Sequence, residues 1–212
     1  MGSLFPAMHT MAFFMRLYKK NKQYGVIFAL LMLAQVFLTP NIVAGTSSLD
    51  IKTAELTAVD DAYTLNADFE IDFNTQMEEA INKGVPLNFL IEFQLVVPHK
   101  YWFDDEIDTQ SIPLSLSYHA LTRQYLVNIT QNKQSHQRAF ETINEALVEL
   151  SHLRDWKVLD KNLIEKGVVY KAALLMRLDQ KKLPKALQVE ALSTEAWDLS
   201  SEKFEWMPSL QK

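Results

Sequence analysis

Apolar and polar positions alternate most clearly in three stretches of the chain. From Ala62 to Phe73, the residues Tyr63, Leu65, Ala67, Phe69, Ile71 and Phe73 alternate with Thr64, Asn66, Asp68, Glu70 and Asp72. That period of two predicts a strand with one dry and one wet face. Leu87 to Val97 repeats it through Leu87, Phe89, Ile91, Phe93, Leu95 and Val97, with Pro86 and Pro98 as brackets. After Gly167, the series Val168, Tyr170, Ala172, Leu174, Met176 and Leu178 gives a third long strand. Shorter alternations predict a pair of strands around Ile112–Tyr118 and Tyr125–Ile129, joined by a tight turn at Ala120 to Thr122. Ile51 to Val59 alternates weakly, and Phe204 with Trp206 suits a last edge strand.

Helical spacing is rarer. Asn74 is placed to cap a short helix with Met77, Ala80 and Ile81 on one side and Gly84 as its stop. The longest helical pattern is predicted from Ser135, as cap, to Leu153. Phe140, Ile143, Leu147 and Leu150 recur there, with Ala139, Ala146 and Leu153 beside them. His99 to Ser111 reads as a loop, Asp179 to Lys182 as a charged turn, and Lys185 to Ser193 as a short helix or loop. Short connections favour antiparallel neighbours over βαβ crossovers. The expected fold is mainly β with flanking helices: an antiparallel two-layer β-sandwich, immunoglobulin-like as the named candidate, with one long amphipathic helix. Phe69, Phe89, Ile91, Phe93, Tyr125, Leu147 and Leu174 are its expected core.

Ahead of these elements lies an uncharged apolar run, Val26 to Leu38, extended loosely to Val43 and preceded by Arg16, Lys19, Lys20 and Lys22. This order of charges is that of a signal peptide or an N-terminal membrane anchor, and it sends the C-terminal part of the chain across the membrane. Residues 1–45 are therefore read as a cytosolic tail plus that segment, and 48–212 as a single exported β-rich domain on the periplasmic side. Cleavage after Ala44 or Gly45 and retention both remain open. Translation from Met15 would give a compact basic lead.

Composition narrows the picture. The chain has no cysteine, which removes lipoprotein anchoring, disulfides and thiol catalysis. Without the leader, about 168 residues remain, with 17 basic against 26 acidic residues, a net charge of −9. An acidic domain is a poor ligand for nucleic acid and for anionic lipid. Membrane contact is expected through the N-terminal segment only.

The residues Leu116-Ser117-Tyr118-His119-Ala120-Leu121-Thr122-Arg123-Gln124-Tyr125, then Phe140, Ile143, Ala146 and Leu147, resemble a known family. The likeness continues through Gly167-Val168-Val169-Tyr170, Arg177-Leu178-Asp179 and Leu183-Pro184-Lys185-Ala186-Leu187. The family is a set of exported proteobacterial proteins, domain of unknown function 4390, and the likeness covers most of the exported chain. The resemblance implies no activity. Family members are often encoded near a two-component sensor kinase and an RNA methyltransferase, which suggests an accessory role to a sensor system.

Candidate chemistry is sparse. There is no Gly-x-Ser-x-Gly elbow, phosphate loop or dinucleotide glycine pattern, so no cofactor is expected. Ser115, Ser117 and His119 share one strand face, which reads first as a wet face and second as a hydrolase or metal-dependent site around His119. His99, His119, His136 and His152 lack zinc-motif spacing, with His136 and His152 near opposite ends of the predicted helix. Asp104, Glu106 and Asp108 alternate as in a calcium loop but lack its glycine and distal glutamate, so no metal is expected.

The run Tyr101-Trp102-Phe103 cannot turn every ring inward, so it is a candidate binding site, with Arg123 as a candidate anion contact. Arg123, Arg177 and Asp179 lie within the family-like motifs, where an Arg–Asp pair across adjacent strands would be a structural clamp. The leading expectation is a non-enzymatic binding or interaction module whose partner is an envelope or membrane protein. The alternatives are the enzyme at His119 and a structural, membrane-anchored envelope protein.

Overall fold

The computed structural model describes residues 46–211. The leader, its cleavage and its orientation lie outside the described residues. Among those that are described, no helix is long and apolar enough to cross a membrane.

Nine strands dominate the described residues: β1 (Ser48–Val59), β2 (Ala62–Asp72), β3 (Leu87–Val97), β4 (Asp105–His119), β5 (Gln124–Gln131), β6 (Gln134–Phe140), β7 (His152–Asp160), β8 (Lys171–Leu178) and β9 (Phe204–Trp206). Among the described residues three short α-helices intervene: α1 (Thr75–Asn82), α2 (Ile143–Leu150) and α3 (Lys185–Ala191). The strands form two antiparallel sheets, one ordered β1-β2-β7 and one ordered β6-β5-β4-β3-β8-β9. In the larger sheet β3 to β6 are a consecutive meander. An immunoglobulin domain instead divides consecutive strands between its sheets, so the order observed here departs from that expectation.

The strand faces follow the sequence pattern. On β2, Tyr63, Leu65, Ala67, Phe69 and Ile71 are buried; on β3, Leu87, Phe89, Ile91, Phe93 and Leu95 are. These residues, with Trp156 of β7 and Leu174 and Met176 of β8, belong to one buried cluster shared by both sheets. The Phe93 and Trp156 rings meet edge to face, with centroids 6.4 Å apart. At the end of β3 a register shift between Leu95 and Val96 buries Val96 and turns Val97 toward the rim, reversing the alternation expected there. Tyr125 and Leu147 are half-buried rather than core. The Tyr125 hydroxyl reaches the surface and donates to Asn82 Oδ1 at 2.6 Å.

α1 forms as its sequence predicts. Asn74 Oδ1 accepts from the Met77 amide at 2.8 Å, Met77, Ala80 and Ile81 are buried, and Gly84 takes φ +88° after the last turn, where any side chain is disfavoured. The long helix from Ser135 does not form. Asn132 and Lys133 adopt φ of +53° and +63°, a two-residue hairpin loop between Gln131 and Gln134. This turns residues 134–140 back along β5 as a strand. The helix starts only at Ile143, where Thr142 and Glu145 make a reciprocal capping box, and it runs for eight residues. His136 thus lies on β6 and His152 on β7. They are not at the two ends of one helix.

The loop expected from His99 to Ser111 is also shorter. β4 begins at Asp105 and pairs with β3 from Val97 inward. Its first half is polar and carries no alternation, but the long β3 supplies backbone hydrogen-bonding partners along one of its edges.

Candidate functional site

The connection between β3 and β4 is a projecting hairpin tip. Tyr101, Trp102 and Phe103 are 80%, 80% and 98% exposed. Large aromatics are normally buried, so three adjacent exposed ones form an apolar projection.

The base of the tip is fastened. Lys171 Nζ of β8 lies 2.8 Å from Asp104 Oδ2. The other oxygen of Asp104 accepts from the His99 amide at 3.2 Å, and His99 Nε2 lies 2.8 Å from Asp105 Oδ2. The Lys171 ammonium first, and the His99 amide second, hold the Asp104 carboxyl below its ordinary pKa. The Lys100 ammonium sits over the Tyr101 ring, 5.5 Å from its centroid, a cation–π contact.

The register adds two residues that periodicity did not single out. Lys171 pairs with Val96, and Ala172 with Trp206. The chain before β8 and after β9 therefore emerges at the same end of the sheet as the tip. Val169 and Met207, 65% and 60% exposed, lie on those segments.

Arg123 is elsewhere. It closes the β4–β5 turn with φ +55°, is exposed, and stands at the opposite end of β4. That strand has 15 residues, which at the rise of a strand spans ~45 Å. Arg123 and the aromatic tip are not one site.

His119 is exposed beside this turn, with Nδ1 3.1 Å from Thr122 Oγ1. No carboxylate among the described residues hydrogen-bonds to it. The acids of the expected loop are divided among separate partners: Asp104 with Lys171, Asp105 with His99, Glu106 with Gln94 and Asp108 with Gln110. Among the described residues, no group of three or more His, Asp or Glu is arranged to hold a metal ion.

The clamp expected of Arg177 and Asp179 has a different partner. Arg177 makes two 3.2 Å contacts with the Glu92 carboxylate on β3. Asp179 instead accepts from the Lys181 amide, starting a short 3-10 turn. A cleft of about 670 Å³ opens between the sheets, with Asp108, Ile112, Lys133, Trp156, Leu159 and Leu163 among its lining. None of these is a nucleophile paired with a base.

The curated proteins and the solved structures give no match to this chain. The model of one family does, over residues 46–207, and its description is "Domain of unknown function (DUF4390)". The match takes in every strand from β1 to β9, the fastened tip and the turn at Arg123, and the chain belongs to the DUF4390 family.

Proposed function

We propose that this chain is a non-enzymatic docking module of the bacterial envelope. A two-layer β-sandwich serves as scaffold, the periplasmic side of the inner membrane as location, and an accessory role to a sensor system as context. The observation that carries the reading is the tip, where three adjacent aromatics are held in solvent by an ion pair and a backbone bond at their base. Rings presented on a fastened hairpin lose little freedom on docking, and Trp and Tyr are the residue types that dominate binding energy at interfaces. The expected partner is an envelope or membrane protein.

The experiment is crosslinking and capture from native envelopes with the full chain, comparing wild type with the Tyr101→Ser/Trp102→Ser/Phe103→Ser variant. The module should retain its fold and lose its crosslinked partners. Equal capture by both proteins would sink the reading. A C-terminal alkaline phosphatase fusion, which needs export, should be active; an inactive one would remove the periplasmic location.

A further inference from the structure

We infer that the aromatic tip seats in the interfacial layer of a bilayer with neutral headgroups, giving the module a second membrane contact besides its N-terminal segment. This rests on the reading of the tip as the docking element. Consecutive side chains on a bent segment diverge, and here all three rings stand clear of the domain. A bilayer interface meets such a projecting tip on every side. Trp and Tyr are also the residues of membrane interfaces, since each ring pairs an apolar body with one hydrogen-bonding group. Phe103, almost fully exposed, is the wholly apolar member.

The surroundings agree. Val169 and Met207 add two exposed apolar side chains at the same end of the sheet. Of the carboxylates at this end, Asp104 is ion-paired with Lys171, while Asp105 and Glu106 are hydrogen-bonded to His99 and Gln94. Lys100, held over Tyr101, brings one ammonium to the level of lipid phosphates. Charge selects the lipid: the region after the leader carries a net −9, which an anionic surface repels, so zwitterionic phospholipid is the partner.

The tryptophans make the test site-specific. Of the four, Trp156 and Trp197 are buried and Trp206 is half-buried, so Trp102 alone is widely exposed. The full chain is reconstituted into phosphatidylcholine vesicles whose acyl chains carry bromine, a quencher of nearby indoles. Bromine-dependent quenching is expected in the wild type and lost in Trp102→Phe, with near-ultraviolet dichroism reporting that the fold is kept. Tyr101→Ser/Phe103→Ser, which retains Trp102, should weaken seating by roughly tenfold per ring removed. Replacing part of the phosphatidylcholine with phosphatidylglycerol should reduce quenching at low salt. Identical quenching of wild type and Trp102→Phe would overturn the inference. If envelope capture still depends on the rings in that case, the tip docks on a protein and the proposed function stands without the lipid contact.

Discussion

β4 ends in two connections of opposite character. At its start, the segment 98–104 puts three aromatics into solvent and is fastened by side chains, Asp104 to Lys171 and His99 to Asp105. At its end, the turn 120–123 has Arg123 in the left-handed region and one short side-chain contact, His119 to Thr122. Leu121 there is 92% exposed, but it stands as a single apolar residue, and scattered surface apolars are ordinary. That difference is what the proposed docking role rests on. Exposure is common to both ends. The tip alone combines adjacent rings with a set of fastenings that serve no core.

The largest test breaks the ladder that carries both ends. Phe93 is fully buried on β3, between the rings of Trp156 and Trp206. Phe93→Ala should lower unfolding free energy by ~3–5 kcal/mol, measured by denaturant titration. A surface-like response would mean that the β3 register is wrong and the placement of both connections with it.

The next test acts on the turn alone. Arg123→Gly relieves a side chain at φ +55° and should raise stability by about 0.5–1 kcal/mol. A loss of stability would show that the arginine side chain holds the turn.

The third test separates the ends by pH. The Asp104 carboxyl is held below its ordinary 3.8 in the folded chain. Its fastening is therefore complete above about pH 4 and is lost as pH falls through the lowered value. The His99 amide, which donates to Asp104, should lose its protection from hydrogen exchange over that range, while amides of the β4–β5 turn keep theirs. Loss of protection at both ends together would mean that acid unfolds the whole domain first.

The smallest effect is expected at the rings. Tyr101→Ser/Trp102→Ser/Phe103→Ser should leave the melting transition within about 0.5 kcal/mol of wild type, as for surface sites away from core and caps. A larger loss would place the rings in the fold and remove the contrast with the turn.

Local rules made part of this protein legible. Period-two alternation located β2, β3 and β8, because a strand with one buried face needs no knowledge of its neighbours. The Asn74 cap and the Gly84 stop were readable for the same reason. The Thr142–Glu145 capping box obeys a local rule too, but the apolar spacing that runs on from Phe140 pointed to Ser135 as the cap instead. The aromatic run itself was visible, since three adjacent rings cannot all face inward.

Long-range pairing decided the rest. The polar residues 105–111 became strand because β3 supplied their hydrogen-bonding partners, and no pattern within the segment could announce that. Residues 134–140 have composition suited to either state. The left-handed pair Asn132–Lys133, which lacks the glycine of a strong hairpin signal, committed them to β5. Arg177 found Glu92, 85 positions away, rather than the nearby Asp179. The length of β4 set the tip and Arg123 at opposite ends of the sheet. Sequence by itself determined which faces are dry, because burial periodicity is a property of a single segment. Tertiary structure alone decided which chemical groups meet, because backbone pairing and ion pairs join residues whose separation along the chain carries no information about their distance.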